Sequence, residues 1–478
     1  MSINSFENYP LSWKPNLDKK GEKASLSTAL AELLERDILE GRLLPGTKLP
    51  PQRELADFLE IGLSTVTRAF RICRQRGLVC SAVGSGTFVA PDAIENNVLI
   101  SSEGERKLID LGSSTSALNL NELLTDSFKR LVAEPGLGKL LRYDVPGGSW
   151  ISRQAGSKWM QLSGYRSVSE RIVVASGAQN ALAACVIGLF RPGDRLAVRS
   201  LTYQGIRNIA RLLRLQLIPL PENIELDAQV LISFFQREKI KGAYLMPDYH
   251  NPTARVMPLE ERRYFAEAAR RCEVIIMEDG SNTMLMRHPM PPIASFAPDQ
   301  TIYIAGLSKA LAPGLRGAFV DCPPSLRSRL VETLYAINVT PSPLLIHLID
   351  RLVISGKALV LVEERKKDLK LRNALINRIF KDAPCILEGD EGSPVRWLRL
   401  PFKTSGRSFE AMARAMEVQV YGSERFAVGK KIPEAAVRIS VAAPVTMQQL
   451  EMALLRLKGL LQQLSKMKSD EKNGNLIL

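Results

Sequence analysis

The chain has 478 residues, 64 Lys and Arg against 50 Asp and Glu for a net charge of +14, and 45% apolar residues. This length exceeds one ordinary domain and the composition supports sizeable cores. No apolar run approaches the ~20 residues that a bilayer span requires, so no membrane partner is expected. Six scattered cysteines (73, 80, 185, 272, 322, 385) without a C-x-x-C pair argue for free thiols rather than a disulfide framework or zinc site. Three dispersed histidines (250, 288, 347) do not suggest a metal cluster, so the expected metal is none. The first residues lack the basic and apolar regions of a secretory signal, which points to a cytoplasmic protein. The positive balance suits a polyanion such as DNA, or simply a basic surface.

Residues 1–24 are polar and irregular, with Trp13–Leu17 offering a strap. Leu26, Leu30, Leu33, Leu34 and Ile38 share one helical face. Pro45-Gly46 makes a turn, and a second short helix follows from Pro50 to Leu59. A third helix is expected from Ser64 to Arg76, with Val66, Ala69, Phe70 and Cys73 inward and Ser64, Arg68, Arg71 and Gln75 outward. It holds four arginines and no acid. Such a stripe is either a solvated face or a surface for nucleic acid. Two short strands, 77–81 and 87–89, flank a turn at Gly84-Ser-Gly86. Three helices and a hairpin make a winged helix-turn-helix, whose third helix can enter the major groove.

Residues 91–107 lack periodicity and read as a linker. Beyond it, seven apolar strands alternate with helical patterns: 172–175, 196–199, 215–220, 243–246, 274–279, 301–306 and 317–321. That alternation predicts an α/β fold with a mostly parallel seven-stranded sheet covered on both faces. Residues of about 330–463 read as a smaller C-terminal α+β subdomain, with a helix near 358–380 and strands near 397–400 and 437–441. The last residues, 464–478, read as a frayed tail.

Polar residues cluster where the strands end. Lys309 follows the strand 301–305, among small residues. It is either a solvated lysine or a near-buried amine able to form a Schiff base with pyridoxal 5'-phosphate. Asp279 ends a strand and can pair with a protonated pyridine nitrogen. Asn251 follows another and can donate to a ring oxygen. Ser176–Asn180 opens an apolar helix whose backbone amides can seat a phosphate. Tyr203 offers a flat face after a fifth strand.

In this order, the features of residues 108–463 resemble a fold-type-I pyridoxal-phosphate-dependent aminotransferase, in the kynurenine and α-aminoadipate aminotransferase subgroup. The resemblance implies a Schiff base at Lys309, the pyridine nitrogen at Asp279, the ring oxygen at Asn251 and stacking at Tyr203. It implies phosphate binding by Ala178, Gln179, Ser308 and Arg316, a substrate-carboxylate clamp at Arg438, and Tyr143 reaching the partner subunit's phosphate in a homodimer. One departure stands out: Ser281 occupies the position where that family carries a tyrosine bonded to the ring oxygen. This argues against fast transamination more than against cofactor binding.

The strings Leu43–Pro50, Gln52–Ala56, Ser64–Phe70, Gly77–Val79 and Gly84–Val89 are similar to a GntR-type DNA-binding domain, placed at 25–90. In that family Arg53, the polar residues of the recognition helix (Ser64, Thr65, Thr67, Arg68, Arg71) and the wing glycine Gly84 approach DNA. Residues 25–90 hold eight basic and seven acidic residues, so affinity must rest on where the arginines lie. The fusion of the two halves resembles the MocR branch of the GntR regulators. It implies a bacterial, pyridoxal-phosphate-binding transcription regulator that binds a double-stranded operator and senses the cofactor or an amino compound. The competing expectation is a working aminotransferase with a vestigial reader.

Overall fold

The computed structural model describes residues 12–17, 26–39, 42–43, 46–75, 78–82, 86–90, 108–113, 122–222, 225–400, 404–444 and 446–472. The chain divides into two compact units, Met1–Gly104 and Glu105–Leu478.

The first unit holds helices α1 (Leu26–Leu39), α2 (Gln52–Leu59) and α3 (Leu63–Gln75), then strands β1 (Val79–Ala82) and β2 (Gly86–Val89). Leu30, Leu34 and Ile38 of α1 close on Val66, Ala69, Phe70 and Cys73 of α3, all buried. The Leu, Ile, Val and Phe side chains among them each contribute ~1.5–3 kcal/mol of apolar burial. Leu26 departs from the expected face: it is exposed. The Trp13 strap is packed, and its indole Nε1 donates to Asp37 Oδ2 at 2.7 Å. β1 and β2 pair antiparallel, Val79 against Val89. The segment before α2 joins them, since Leu49 N–H donates to the Thr87 carbonyl and Val89 N–H to that of Thr47. The expected wing glycine Gly84, the residue Arg76 and the linker 91–107 lie outside the described residues.

The second unit begins with β3 (Ile109–Asp110) and α4 (Glu122–Val132). Helix α5 (Trp150–Leu162) leads to β4 (Ile172–Ala175) and α6 (Ala178–Leu189). Then follow β5 (Arg195–Val198), α7 (Gln204–Leu212), β6 (Gln216–Pro219), α8 (Ala228–Arg237), β7 (Ile240–Leu245) and α9 (Leu259–Cys272). The large sheet is completed by β8 (Ile275–Asp279), β9 (Thr301–Gly306) and β10 (Ala318–Asp321). Its order is β4-β10-β9-β8-β7-β5-β6. All neighbours are parallel except β10, which runs antiparallel to both β4 and β9. Cores lie on both faces, as continuous apolar strands require.

After α10 (Pro324–Asn338), α11 (Pro343–Ile354) and α12 (Lys357–Phe380), a smaller sheet forms from β11 (Ile386–Glu388), β12 (Val395–Arg399), β14 (Tyr421–Gly422) and β15 (Ala436–Ser440). Helices α13 (Gly406–Ala415) and α14 (Met447–Lys472) cover it. Between α13 and β14, β13 (Val418–Gln419) pairs parallel with β3, so the start of this unit is stitched onto its C-terminal subdomain. No helix of the described residues is long and apolar enough to cross a membrane.

Candidate functional site

The carboxyl ends of the parallel strands converge on one cleft, where open α/β sheets place ligands. Lys309 lies three residues past β9, in its wall. Enclosure, reinforced by the positive charge of Arg438 and Arg316 and opposed by Asp279, lowers its amine from 10.5 to about 8. Asp279 closes β8, accepting from Ser281 N–H at 3.0 Å and from the Tyr244 hydroxyl at 2.8 Å. Burial first, then Asp279, pushes the Tyr203 phenol up to about 12. Its ring lies against Gly205, where an added Cβ would stand 2.2 Å from Tyr203 and 2.3 Å from Gln179 Oε1.

Asn251 sits on a braced turn. Asp248 below it takes Arg262 at 2.5 Å and Thr283 Oγ1 at 2.6 Å. His250 N–H donates to the Arg255 carbonyl, Ala254 N–H to that of His250, and the Asn251–Pro252 bond is cis. The Asn251 carboxamide accepts from Arg438 Nη1 at 2.6 Å.

Arg438, on β15, is only 4% exposed. Its guanidinium lies between the rings of Tyr421 and Phe426, 5.4 and 4.9 Å from their centroids. Nη2 donates to the Gly112 carbonyl just beyond β3. Nε has no hydrogen-bond partner among the described residues. A buried donor left over in this way suits an incoming carboxylate.

At the other end, α6 begins at Ala178 and presents its first amides to the cleft. Gly177 precedes it with φ +90°. The Arg316 guanidinium lies so close that a Cβ on Gly177 would stand 2.9 Å from Nη2. Arg316 also lies 3.5 Å from Ser308 Oγ and from the Ser176 carbonyl. A cation, a hydroxyl and a helix N-terminus together could seat a phosphate. Ser281 Oγ turns toward Gly306, where it stands 2.5 Å from a would-be Cβ.

The structure thus brings together Lys309, Asp279, Asn251, Tyr203, Ala178, Gln179, Ser308, Arg316 and Arg438. Tyr143 stands apart, 81% exposed, beside the exposed Leu141, Val145 and Trp150. The Tyr244–Asp279 bond and the two rings around Arg438 escaped the sequence reading. Strand alternation alone marks Tyr244 as inward-facing, without naming its partner.

On the first unit, Arg53, Ser64, Arg68 and Arg71 are exposed along α2 and α3. Arg68 and Arg71 pair with no described acid. Thr65 is half-buried, and its N–H donates to the Gly62 carbonyl at 2.9 Å. The Thr67 hydroxyl donates to Gln52 Oε1 at 2.8 Å, tying α3 to α2.

The sequence matches the family described as bacterial regulatory proteins, gntR family, over residues 26–89, and aminotransferase class I and II over residues 108–457. It is 44% identical over 466 residues to an uncharacterized HTH-type transcriptional regulator, YdeF, of Bacillus subtilis, covering 97% of this chain and 100% of that one. It is 26% identical over 346 residues to the probable rhizopine catabolism regulatory protein MocR of Rhizobium meliloti, covering 66% and 69%. Among solved structures, the kynurenine aminotransferase of Pyrococcus horikoshii shares the fold, with TM-score 0.68, 20% identity, and coverage of 75% of this chain and 92% of that one. The molecule is therefore a helix-turn-helix protein fused to a fold-type-I aminotransferase-like unit. The chain belongs to the GntR family of bacterial transcription regulators, in its MocR-type branch.

Proposed function

We propose that this regulator holds pyridoxal 5'-phosphate in the cleft and reports the cofactor, or an amino compound captured there, to its DNA reader. The observation that carries the proposal is the pair of hydrogen bonds that Arg438 donates, one to Asn251 Oδ1 and one to the Gly112 carbonyl. One side chain ties the cofactor turn to the strand that opens the second unit.

The residues present fit the cofactor. Lys309 would supply the amine, Asp279 the counter-charge for the ring nitrogen, and Asn251 a contact to the ring oxygen. Tyr203 would cover the ring face, while Ala178, Gln179, Ser308 and Arg316 would seat the phosphate. When bound, the cofactor supplies an aldehyde for amine capture and an electron-withdrawing ring. A carboxylate arriving with the amine would compete for the Arg438 donors that now hold Gly112 and Asn251. Because β3 is paired with β13, and Ser440 N–H donates to the Leu111 carbonyl, this competition acts on the start of the unit.

Ser281 is too short to put a phenol at the ring oxygen, so proton movement at captured substrate is expected to be slow. Two copies are expected to assemble through the segment that bears Leu141, Tyr143, Val145 and Trp150, four large apolar side chains left exposed within ten residues of sequence. Tyr143 would then reach the partner's phosphate. Sedimentation showing a cofactor-loaded monomer at micromolar protein refutes that arrangement.

The test measures operator affinity of the full chain with and without cofactor and a panel of amines. A coupling of about 1–3 kcal/mol is expected, with borohydride-trapped cofactor mapped to Lys309. Lys309→Ala should keep DNA binding and lose the ligand response. Rapid multiple-turnover transamination, with DNA binding indifferent to cofactor and amines, makes the chain an aminotransferase instead.

A further inference from the structure

Beyond the Asn251 turn, on the side away from Lys309, lies a cavity of about 1180 Å³. It opens past the carboxyl ends of β5, β6 and β7, against the hairpin of β11 and β12. None of Lys309, Asp279, Tyr203, Asn251 or Arg438 lines it.

Charge on its wall falls into two unequal groups. In the first, Glu261 is held by two guanidiniums, Arg199 on one oxygen and Arg255 at 3.0 Å on the other. Two cations on one carboxylate leave a positive surplus. His250 lines the cavity beside them and is 8% exposed. Burial, with Arg199 and Arg255 adding, drives its imidazole down to about 3, so the ring is neutral. Nδ1 lies 2.8 Å from Thr253 Oγ1, while Nε2 has no partner among the described residues. In the second group, Arg399 meets Glu388 at 3.0 Å and Glu434 at 3.1 Å, and Trp397 Nε1 also donates to Glu434 at 2.9 Å. Two carboxylates on one cation leave a negative surplus. Burial, with Glu434 adding, holds the Glu388 carboxyl above its ordinary range despite Arg399. Glu222 is shared between Lys431 at 3.0 Å and Arg199, so three cations face two carboxylates at the first end; of the other lining acids, Glu260 has Arg263 at 3.5 Å and Glu225 stands at the rim.

We propose that this cavity is a second small-molecule site, which takes a short zwitterion with its carboxylate at Arg199, Arg255 and His250 Nε2 and its ammonium at Glu388 and Glu434. The ends need not be far apart, since Arg255 also acts electrostatically on Glu388. Contact there bears on the cofactor cleft through the backbone. His250 and Arg255 close the same turn that presents Asn251 to Arg438. The site is independent of cofactor capture at Lys309, because binding in the cavity forms no covalent bond.

Calorimetry on the full-length protein tests this with N,N-dimethylglycine, 4-(dimethylamino)butyrate and 6-(dimethylamino)hexanoate. A tertiary amine keeps one N–H donor and cannot condense with an aldehyde, which separates this site from Lys309. At least one of the three is expected to bind with Kd below about 1 mM. Arg255→Gln and Glu388→Gln should each weaken it roughly tenfold or more, with melting curves unchanged, because both side chains are substantially exposed (58% and 35%). Lys309→Ala should bind as the parent does. The proposal is overturned by absence of heat from all three at about 10 mM, by binding that either cavity variant leaves intact, or by binding lost in Lys309→Ala.

Discussion

The amine of Lys309 offers a direct physical measurement. Enclosure, with Arg438 next, lowers its pKa from 10.5 to about 8. The difference is worth ~3 kcal/mol in favour of the neutral form. At pH 7 roughly a tenth of the molecules then carry a neutral Lys309, against about one in 3000 for an ordinary lysine, a gain of ~300-fold. Trace labelling of cofactor-free protein with fluorodinitrobenzene, followed by peptide quantification across pH 6–11, reads this midpoint directly. The exposed Lys241 serves as the internal reference. Lys309 should label with a midpoint near 8. Arg438→Met removes one nearby cation while keeping an apolar stem between Tyr421 and Phe426, and should raise the Lys309 midpoint by about one pH unit, ~1.4 kcal/mol. A parent midpoint near 10, or one that Arg438→Met leaves in place, would refute the electrostatic account of this site.

Three further outcomes are expected. Arg68→Ala should cost ~1–3 kcal/mol of operator binding and relax preference at one base pair, whereas Arg71→Ala should weaken all sequences alike and flatten the salt dependence; gel-shift titrations unchanged in both variants would move the DNA surface elsewhere. Gly306→Ala should destabilise the second unit by ~1–3 kcal/mol, because the new Cβ would meet Ser281 Oγ and Ala178 Cβ at 2.5 and 3.0 Å; adding Ser281→Gly should restore most of the denaturant midpoint, and no restoration would mean the clash is elsewhere. Asp350 is buried, with Oδ1 unpartnered and only Ser152 Oγ at 2.6 Å on the other oxygen, and its carboxyl is pushed up to about 6. Between pH 3.8 and 6 the folded state therefore holds a proton that the unfolded chain has released, so this group's contribution falls as pH rises through that window. Asp350→Asn should raise stability by ~1–2 kcal/mol above pH 6 and change little below pH 3.8; a gain confined to acid would reverse the sign and defeat the reasoning.

Much of this architecture was legible because buried strands announce themselves. Runs such as Ile172–Ala175 and the 302–305 stretch of β9 are apolar throughout, and each stops at a polar or glycine-rich turn. Lys309, Asp279 and Asn251 lie at or just past such stops, where position made them candidates and the family resemblance gave them roles. Sheet order had no such signal. The antiparallel insertion of β10 between β4 and β9 depends on how the chain crosses over, which no local pattern records. Long-range partners were equally hidden: Tyr244 meets Asp279 across 35 residues, and Arg438 meets Gly112 across 326. The exposure of Leu26 shows the limit of a helical stripe, which marks a face but not how far the neighbouring core extends along it. The cavity beyond His250 has no linear signature, because its wall is assembled from three strand ends and a distant hairpin.

Strand β8 ends in two carboxylates that face opposite ways. Asp279 turns to Tyr244 and the cleft, while Glu278 accepts at 2.9 Å from the amides of both Ile293 and Ala294, and burial pushes its carboxyl up to about 7. The strand behaves as a two-position dial, since successive side chains alternate between faces. A single residue inserted or deleted ahead of the two acids would keep both in the strand and still exchange the faces they take. The longer glutamate would crowd the floor beneath Tyr203, and the shorter aspartate would fall short of both amides. Within Ile275–Asp279 the reading frame of the backbone is itself the device that decides which acid faces the cleft.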